Sequence, residues 1–392
     1  MAAGFDSLLP APLELKTRDP LDEPHPELAG KREAESLRRR VKKPASQMSA
    51  TSSSVPEAAR TFDRRLLKES ARVIRKNASA SLIDIGDGIG LVEFHTKANA
   101  INDEIAEMLE IAVQEGAGYF GALVIGNLAE HFSAGANLEQ LLADSTEGNW
   151  RDAERFTQRL QNANLCLKCG SLPVVAAPAG YALGGGCEIC LHSAHVRVSA
   201  GARMGLVEAR IGLIPAGGGT KELTLRALAD CSGAGAADPM PFLKNAFDLM
   251  MSGTVSVSGE DALRKFLSPA DSICADESAR LTSAKQIALG LISVQHKNQI
   301  PKTAIRILGW AGMDYFQNAI EKLRSNGTFT EHDALIARHI ARVLCGGEQA
   351  AGTTTEQHLL DLERESFLFL LGHHKTRERI HHMLKRNERL QN

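Results

Sequence analysis

Glu188 and Glu208 stand twenty positions apart in stretches that hold little else polar: Leu183-Gly-Gly-Gly-Cys-Glu188 and Met204-Gly-Leu-Val-Glu208-Ala-Arg-Ile-Gly-Leu-Ile-Pro215. Carboxylates are among the groups least often fully buried, so two of them in chain this apolar mark a pocket held for a purpose. In a dry pocket two carboxyl groups can divide acid and base work, because each environment sets its own pKa. Either glutamate alone would read as an exposed turn residue. The surrounding glycines and a third segment upstream argue against that reading.

The third segment is Gly121-Ala-Leu-Val-Ile-Gly-Asn127 followed by His131-Phe-Ser-Ala-Gly-Ala-Asn-Leu138. Its first part is a short apolar run, predicting a buried strand. Its second part is a turn of small residues, with Asn137 as N-cap of a helix starting at Leu138. Ala134, Gly135 and Ala136 let a ligand approach the backbone and meet free N–H groups. A second such turn, Leu183-Gly-Gly-Gly186, joins the strand Pro173–Ala177 to a helix starting near Cys187. Two N–H donors converging on one oxygen form an oxyanion hole, in which each donor contributes about 2.7–4 kcal/mol in the transition state. The dipole of the helix behind Gly185 adds to that field.

Phe132-Ser-Ala-Gly-Ala-Asn-Leu138, Pro173 through Glu188, and Gly205-Leu-Val-Glu208 through Ile214-Pro-Ala-Gly-Gly-Gly-Thr220 together resemble the crotonase (enoyl-CoA hydratase/isomerase) superfamily. The resemblance implies an α/β fold with a ββα spiral core, acyl-CoA thioester substrates, and an enolate stabilised by two backbone N–H groups. By position these donors are Ala136 and Gly185. The hydratase members use two glutamates, which fall on Glu188 and Glu208, whereas isomerase members typically keep the second alone. Hydration of a trans-2-enoyl-CoA to a 3-hydroxyacyl-CoA in fatty-acid β-oxidation is therefore the expected activity. Spacing does not say which glutamate is acid and which is base; the resemblance favours Glu208 as principal acid/base, with Glu188 holding and activating the water. Lys97-Ala-Asn-Ala-Ile-Asn102 is similar to the segment that lines the CoA path in the family. Lys97, Ala98, Ala100, Ala134, Gly135, Gly184, Gly186, Pro215 and Gly217 are accordingly the expected CoA and substrate contacts. Two departures are small: Asn137 stands where many relatives have Asp, and Ala216 replaces a glycine.

From Ser81 to the C-terminus the chain resembles the hydratase half of one type of bifunctional 3-hydroxyacyl-CoA dehydrogenase/enoyl-CoA hydratase. Thr220-Lys-Glu-Leu, Leu359 to Glu365 and Lys375 to Lys385 carry this narrower likeness. In that type the dehydrogenase precedes the crotonase domain. No such domain precedes Ser81, so no dehydrogenase activity is expected of the chain, and a separate dehydrogenase is an expected partner. Other crotonase chemistry (enoyl-CoA isomerase or thioester hydrolase) and a non-catalytic acyl-CoA-binding subunit of a β-oxidation complex are the competing readings.

Several patterns invite other chemistry. Gly116-Ala-Gly-Tyr-Phe-Gly121 matches G-x-G-x-x-G, but a helical run precedes it and the strand follows, the inverse of the dinucleotide fingerprint. Cys166-x-x-Cys169 and Cys187-x-x-Cys190 have zinc-like spacing. Yet the first pair lies in helical sequence and the second on the helix carrying Glu188, so packing is the expected role and no metal is expected. His192 and His195, and the pairs His373-His374 and His381-His382, lack the H-E-x-x-H pattern and read as solvated or capping residues. His131 is close to the oxyanion turn, where a lone histidine reads as structural. No G-x-S-x-G elbow provides a hydrolase nucleophile. CoA is part of the substrate, and no separate cofactor is expected.

The chain has 392 residues and a net charge of −2, so no field for nucleic acid is indicated. Seven cysteines without a secreted pattern, and an N-terminus without an apolar leader, point to a reducing, cytoplasmic setting with no membrane association. Residues 1–70 are rich in Pro, Ser, Glu and Arg and read as a disordered tail. Residues 71–276 form the expected crotonase core. Residues 277–392 read as a helical region for closure and oligomerisation, with helices at Ala279–Leu291, Lys302–Leu308, Asp333–Leu344 and Glu356–Leu371. A homo-oligomer is expected.

Overall fold

The computed structural model describes residues 72–392, so the reading of residues 1–70 lies outside the described residues. A seven-stranded sheet runs in the order β1 (Arg72–Lys76), β2 (Ala80–Asp84), β3 (Ile89–Phe94), β4 (Ala122–Ile125), β5 (Val174–Ala176), β7 (His195–Ser199) and β9 (Ser272–Cys274). The first two pairings are antiparallel and all later ones parallel. Parallel strands need crossovers, and the crossovers build the site. After each of the central strands the chain makes a second short extended pass before entering a helix. β5 is followed by β6 (Tyr181–Leu183), and β7 by β8 (Arg203–Gly205); β6 and β8 pair in parallel. Two isolated parallel bridges, Ser133 to Ala182 and Ile101 to Ala136, extend this second row. Strand, second pass, helix is the ββα spiral that the motifs imply.

The helices of the spiral are α1 (Asp103–Gln114), α2 (Leu138–Glu147), α3 (Trp150–Cys169), α4 (Gly185–Leu191) and α5 (Gly219–Gly233). Asn102 and Asn137 cap α1 and α2, their side chains accepting from Ile105 and Gln140 N–H. The N-cap assigned to Asn137 is thus the observed one. Strand β4 is buried at all four positions, as a strand covered on both faces must be. One face packs on α1 and α3 in the main core; the other meets Leu281, Ala284 and Ala288 of α8 (Arg280–Ser293).

Between them lie α6 (Met240–Ser252) and α7 (Gly259–Lys265). Then follow β10 (Ile305–Ile307), α9 (Gly309–Ser325), α10 (Glu331–Cys345), β11 (Gly352–Thr354), α11 (Glu356–Leu371) and α12 (His374–Arg386). The helix expected over Lys302–Leu308 is instead strand β10, paired antiparallel with β11. Ile305 and Ile307 are buried with Arg306 exposed between them, a period of two that seven residues are too short to announce. Among the described residues no helix is long and apolar enough to cross a membrane.

Candidate active site

Glu188 enters on the first turn of α4, whose opening glycines allow close packing. The helix is entirely buried and Glu188 is 2% exposed. Its Oε1 accepts 2.8 Å from the N–H of Gly219, the first residue of α5. A side chain on Gly217 would place its Cβ 2.5 Å from Glu188 Oε2, so that carboxyl group fits only because the turn has a glycine there. α3 pins the same turn from behind: Gln161 Nε2 donates to Ala216 O and Asn164 Nδ2 to Gly217 O. Thr220 Oγ1 holds Pro215 O at 2.8 Å. Ala216 is not among the residues with positive φ, so its Cβ costs nothing there.

Glu208 opens a short 3-10 turn, Glu208–Ile211, closed by Gly212 in the left-handed region. Its Oε2 is buried and has no hydrogen-bond partner among the described residues. Gly184, at φ +52°, lies against it: a Cβ there would be 3.0 Å from Glu208 Oε1 and 3.6 Å from the Cα of Gly135. One on Gly135 would lie 3.1 Å from Leu183 O. The two glycine turns singled out in the sequence are therefore packed against each other, with Glu208 beside them.

The Ala136 turn is oriented by its bridge to Ile101. Ile101 N–H donates to Gly135 O and Ile101 O accepts from Asn137 N–H. A parallel bridge of this kind uses the residues on either side of Ala136 and directs its own N–H the other way. Gly185 is the first residue of α4, where helix geometry provides no internal acceptor for its N–H. The Lys97–Asn99 turn is stitched to the same loop: Ala134 N–H donates to Ala98 O, Ser133 Oγ to Asn99 O, and Asn99 Nδ2 to His131 O. Ala98 and Asn99 both sit at φ +52°, a conformation non-glycine residues rarely adopt. Lys97 itself is exposed, and Ala100 is partly so.

Burial raises the Glu188 carboxyl to about 7, partly offset by the N–H groups of Gly219 and Gly217. Burial, with the charge of Glu188 second, holds Glu208 well above the usual carboxylate range. Near neutral pH one proton can therefore reside on Glu208 while Glu188 is partly ionised, the division that acid–base work on one substrate needs.

A cavity of about 280 Å³ opens beside this turn, lined by Ile101, Asn137, Leu141 and Phe156 together with Asp103, Asp152 and Arg155. Neither glutamate lines it.

Sequence reasoning missed a buried ionic cluster behind the site. Lys168 of α3 and Lys221 of α5 each bond both Glu222 and Glu356, at 2.5–2.9 Å. His192, expected to be solvated or capping, is 1% exposed. Its Nε2 lies 2.9 Å from the Lys221 ammonium and so accepts, leaving Nδ1–H to donate 2.7 Å to Glu188 O. Burial, then the charge of Lys221, lowers it to about 3 and keeps it neutral. Glu363 of α11 joins the cluster, accepting from Gly218 N–H at 2.9 Å and from Lys221 N–H. The missed signal is helical phase: Glu356, Leu359, Leu360, Glu363, Phe367 and Leu370 occupy one buried face of α11.

The other motifs stay outside the site. Gly116–Gly118 is a 3-10 turn after α1, and Cys166 and Cys169 lie on α3. Cys187 and Cys190 are buried on α4, and burial pushes their thiols up. Among the described residues no group of three or more His, Cys, Asp or Glu is placed to hold a metal ion.

A spiral of this kind, carrying two glycine turns beside buried Glu188 and half-buried Glu208, has the crotonase fold, and its motif segment is similar to the crotonase superfamily. The enoyl-CoA hydratase/isomerase family model matches residues 84–230. Over 340 residues the chain is 36% identical to the "Probable 3-hydroxyacyl-CoA dehydrogenase" of Bacillus subtilis, covering 86% of this chain and 42% of that protein. It thus spans about two-fifths of that relative's length. It is 27% identical over 214 residues to a "Probable enoyl-CoA hydratase" of Mycobacterium tuberculosis, covering 53% of this chain and 76% of that one. The crystal structure of enoyl-CoA hydratase from Bacillus halodurans shares the fold with a TM-score of 0.53 at 17% identity, over 78% of this chain and 99% of that one.

Proposed function

We propose that the chain is an enoyl-CoA hydratase of fatty-acid β-oxidation, adding water across a trans-2-enoyl-CoA. The observation that carries this reading is that buried Glu188 and half-buried Glu208 lie beside two adjoining turns, those of Ala136 and Gly185. In the proposed reaction the thioester oxygen is held by those two donors. Ionised Glu188 takes a proton from water as its oxygen bonds to C3. The electron pair of the C2–C3 double bond moves onto the thioester oxygen as an enolate, and Glu208 delivers its proton to C2. After release of the 3-hydroxyacyl thioester, the proton on Glu188 returns to Glu208 through solvent, closing the cycle with one water consumed.

Lys97, Ala98 and Ala100, with Ala134, Gly135, Gly184, Gly186, Pro215 and Gly217, are the proposed CoA and substrate contacts; the stitching of the Lys97–Asn99 turn to the Ala134 loop supports this. A homo-oligomer, a dehydrogenase partner and a cytoplasmic setting belong to the same reading. The dehydrogenase named in the Bacillus subtilis relative supports the partner. The seven free cysteines support the setting. We likewise read residues 71–276 as the core and 277–392 as its helical extension.

The test is loss of the conjugated enoyl-thioester absorbance on mixing the protein with crotonyl-CoA or a longer trans-2-enoyl-CoA, without NAD. Decay that Glu208→Gln and Glu188→Gln each reduce by about 10²-fold or more supports hydration. Binding of CoA esters without decay would overturn it in favour of an isomerase or a binding subunit.

A further inference from the structure

Two carboxyl groups from distant parts of the chain share the first turn of α5. The first four N–H groups of a helix have no partners inside it. Glu188 takes that of Gly219, and Glu363 takes those of Gly218 and Lys221 on either side. Glu363 is fully buried. The positive end of a helix offers only about half an elementary charge, too little for two carboxylates.

Nearby cations do not make up the difference. The groups facing this turn are Lys168 from α3, His192 at the end of α4, Glu208, Lys221 and Glu222 of α5, and Glu356 of α11. The two ammonium groups are matched by Glu222 and Glu356, and His192 is neutral. Arg364, next to Glu363, is turned to Gln161 and Asp361. Glu188, Glu208 and Glu363 therefore have no matching cation of their own in this cluster.

We propose that Glu363 is a positioning residue for Glu188: from α11 it anchors the glycine turn that holds the Glu188 carboxyl group, and the two carboxyl groups ionise as a coupled pair. Both Glu363 oxygens accept from N–H groups, the arrangement of an ionised carboxylate. Burial and then the charge of Glu188 push Glu363 up, so the two groups oppose each other's ionisation and titrate as a unit.

The inference rests on the hydratase reading only for its kinetic arm. The direct arm is a carboxyl ¹³C NMR titration of the full chain, comparing wild type, Glu363→Gln and Glu363→Asp, with the Glu188 signal assigned by its loss in Glu188→Gln. In wild type alone, the Glu188 and Glu363 signals should titrate together over a shared, broadened range, and two independent single steps overturn the proposal. Glu363→Gln should move the Glu188 step down by roughly one pH unit, while Glu363→Asp, which keeps the charge, leaves it near wild type. An unmoved Glu188 step in Glu363→Gln, or equal shifts in both variants, overturns it too. In kinetics the acidic limb of kcat/KM should follow the same shift. Absence of turnover in wild type would count against hydration and leave the titration to decide the role of Glu363.

Discussion

Glu188 Oε1 and the Gly219 N–H, 2.8 Å apart, join the start of one buried helix to the start of the next. The carboxyl group is packed into a turn with no room to spare, because a Cβ on Gly217 would fall 2.5 Å from Glu188 Oε2 and 2.9 Å from Leu160 Cδ2. Gly217→Ala should therefore displace Glu188 rather than merely crowd it. We expect a fall in kcat of at least about 10²-fold, as for misplacement of a catalytic group, and destabilisation of about 1–3 kcal/mol from overpacking. Steady-state kinetics and denaturant unfolding check both.

The pH profile follows from the two glutamates. In the proposed reaction Glu188 must be ionised to take a proton from water, and burial raises it to about 7. The acidic limb of kcat/KM should thus rise through about pH 7, and Glu188→Gln should remove it from whatever residual activity remains. Glu208 must hold its proton, so activity should fall again on the alkaline side as that proton is lost. A profile flat from pH 5 to 8 would contradict this assignment.

Glu208 also makes the stability of the fold pH-dependent. Its carboxyl group is held well above the usual range in the folded chain, by burial first and by Glu188 second. The folded form then keeps a proton that the unfolded chain loses near its ordinary value of about 4.3, so stability declines as pH rises from there toward the folded value. Glu208→Gln removes that penalty. Its melting temperature should exceed that of wild type at pH 8, by about 2–4 °C per kcal/mol, and match it near pH 4.

Lys221 bonds Glu222 and Glu356 deep in the structure, at 2.5 and 2.9 Å. Removing one member of such a cluster leaves buried charge uncompensated. Lys221→Met should cost about 3–5 kcal/mol, and adding Glu222→Gln should restore part of it. Equal stability of the single and double variants would show that the network is not electrostatically coupled.

The paired glutamates and both glycine turns were legible in the sequence because each lies in a short segment whose glycines are themselves the signal. Asn137 could be read as a cap for the same local reason. Glu363 could not be read this way: its partners Gly218 and Lys221 are more than 140 positions away, and a glutamate in Leu-Asp-Leu-Glu-Arg-Glu looks like any charged helix position until the burial phase is known. His192 is the capping residue its pattern allowed, donating to Glu188 O, but its burial was not legible because it comes from Lys221 on another helix. The Ile305–Ile307 strand escaped because alternation over three residues has no statistical weight.

The matched family segment ends at residue 230, yet α11, some 130 residues further on, supplies Glu356 and Glu363 to the helix behind Glu188. Trimming the chain to its recognisable motif segment would strip Glu356 from two buried ammonium groups and uncover the amides of a glycine turn. Every residue assigned to the chemistry would survive such a cut, and the scaffold that gives them their protonation states would not. In this protein the unit that sets the state of the two glutamates is larger than the smallest recognisable one.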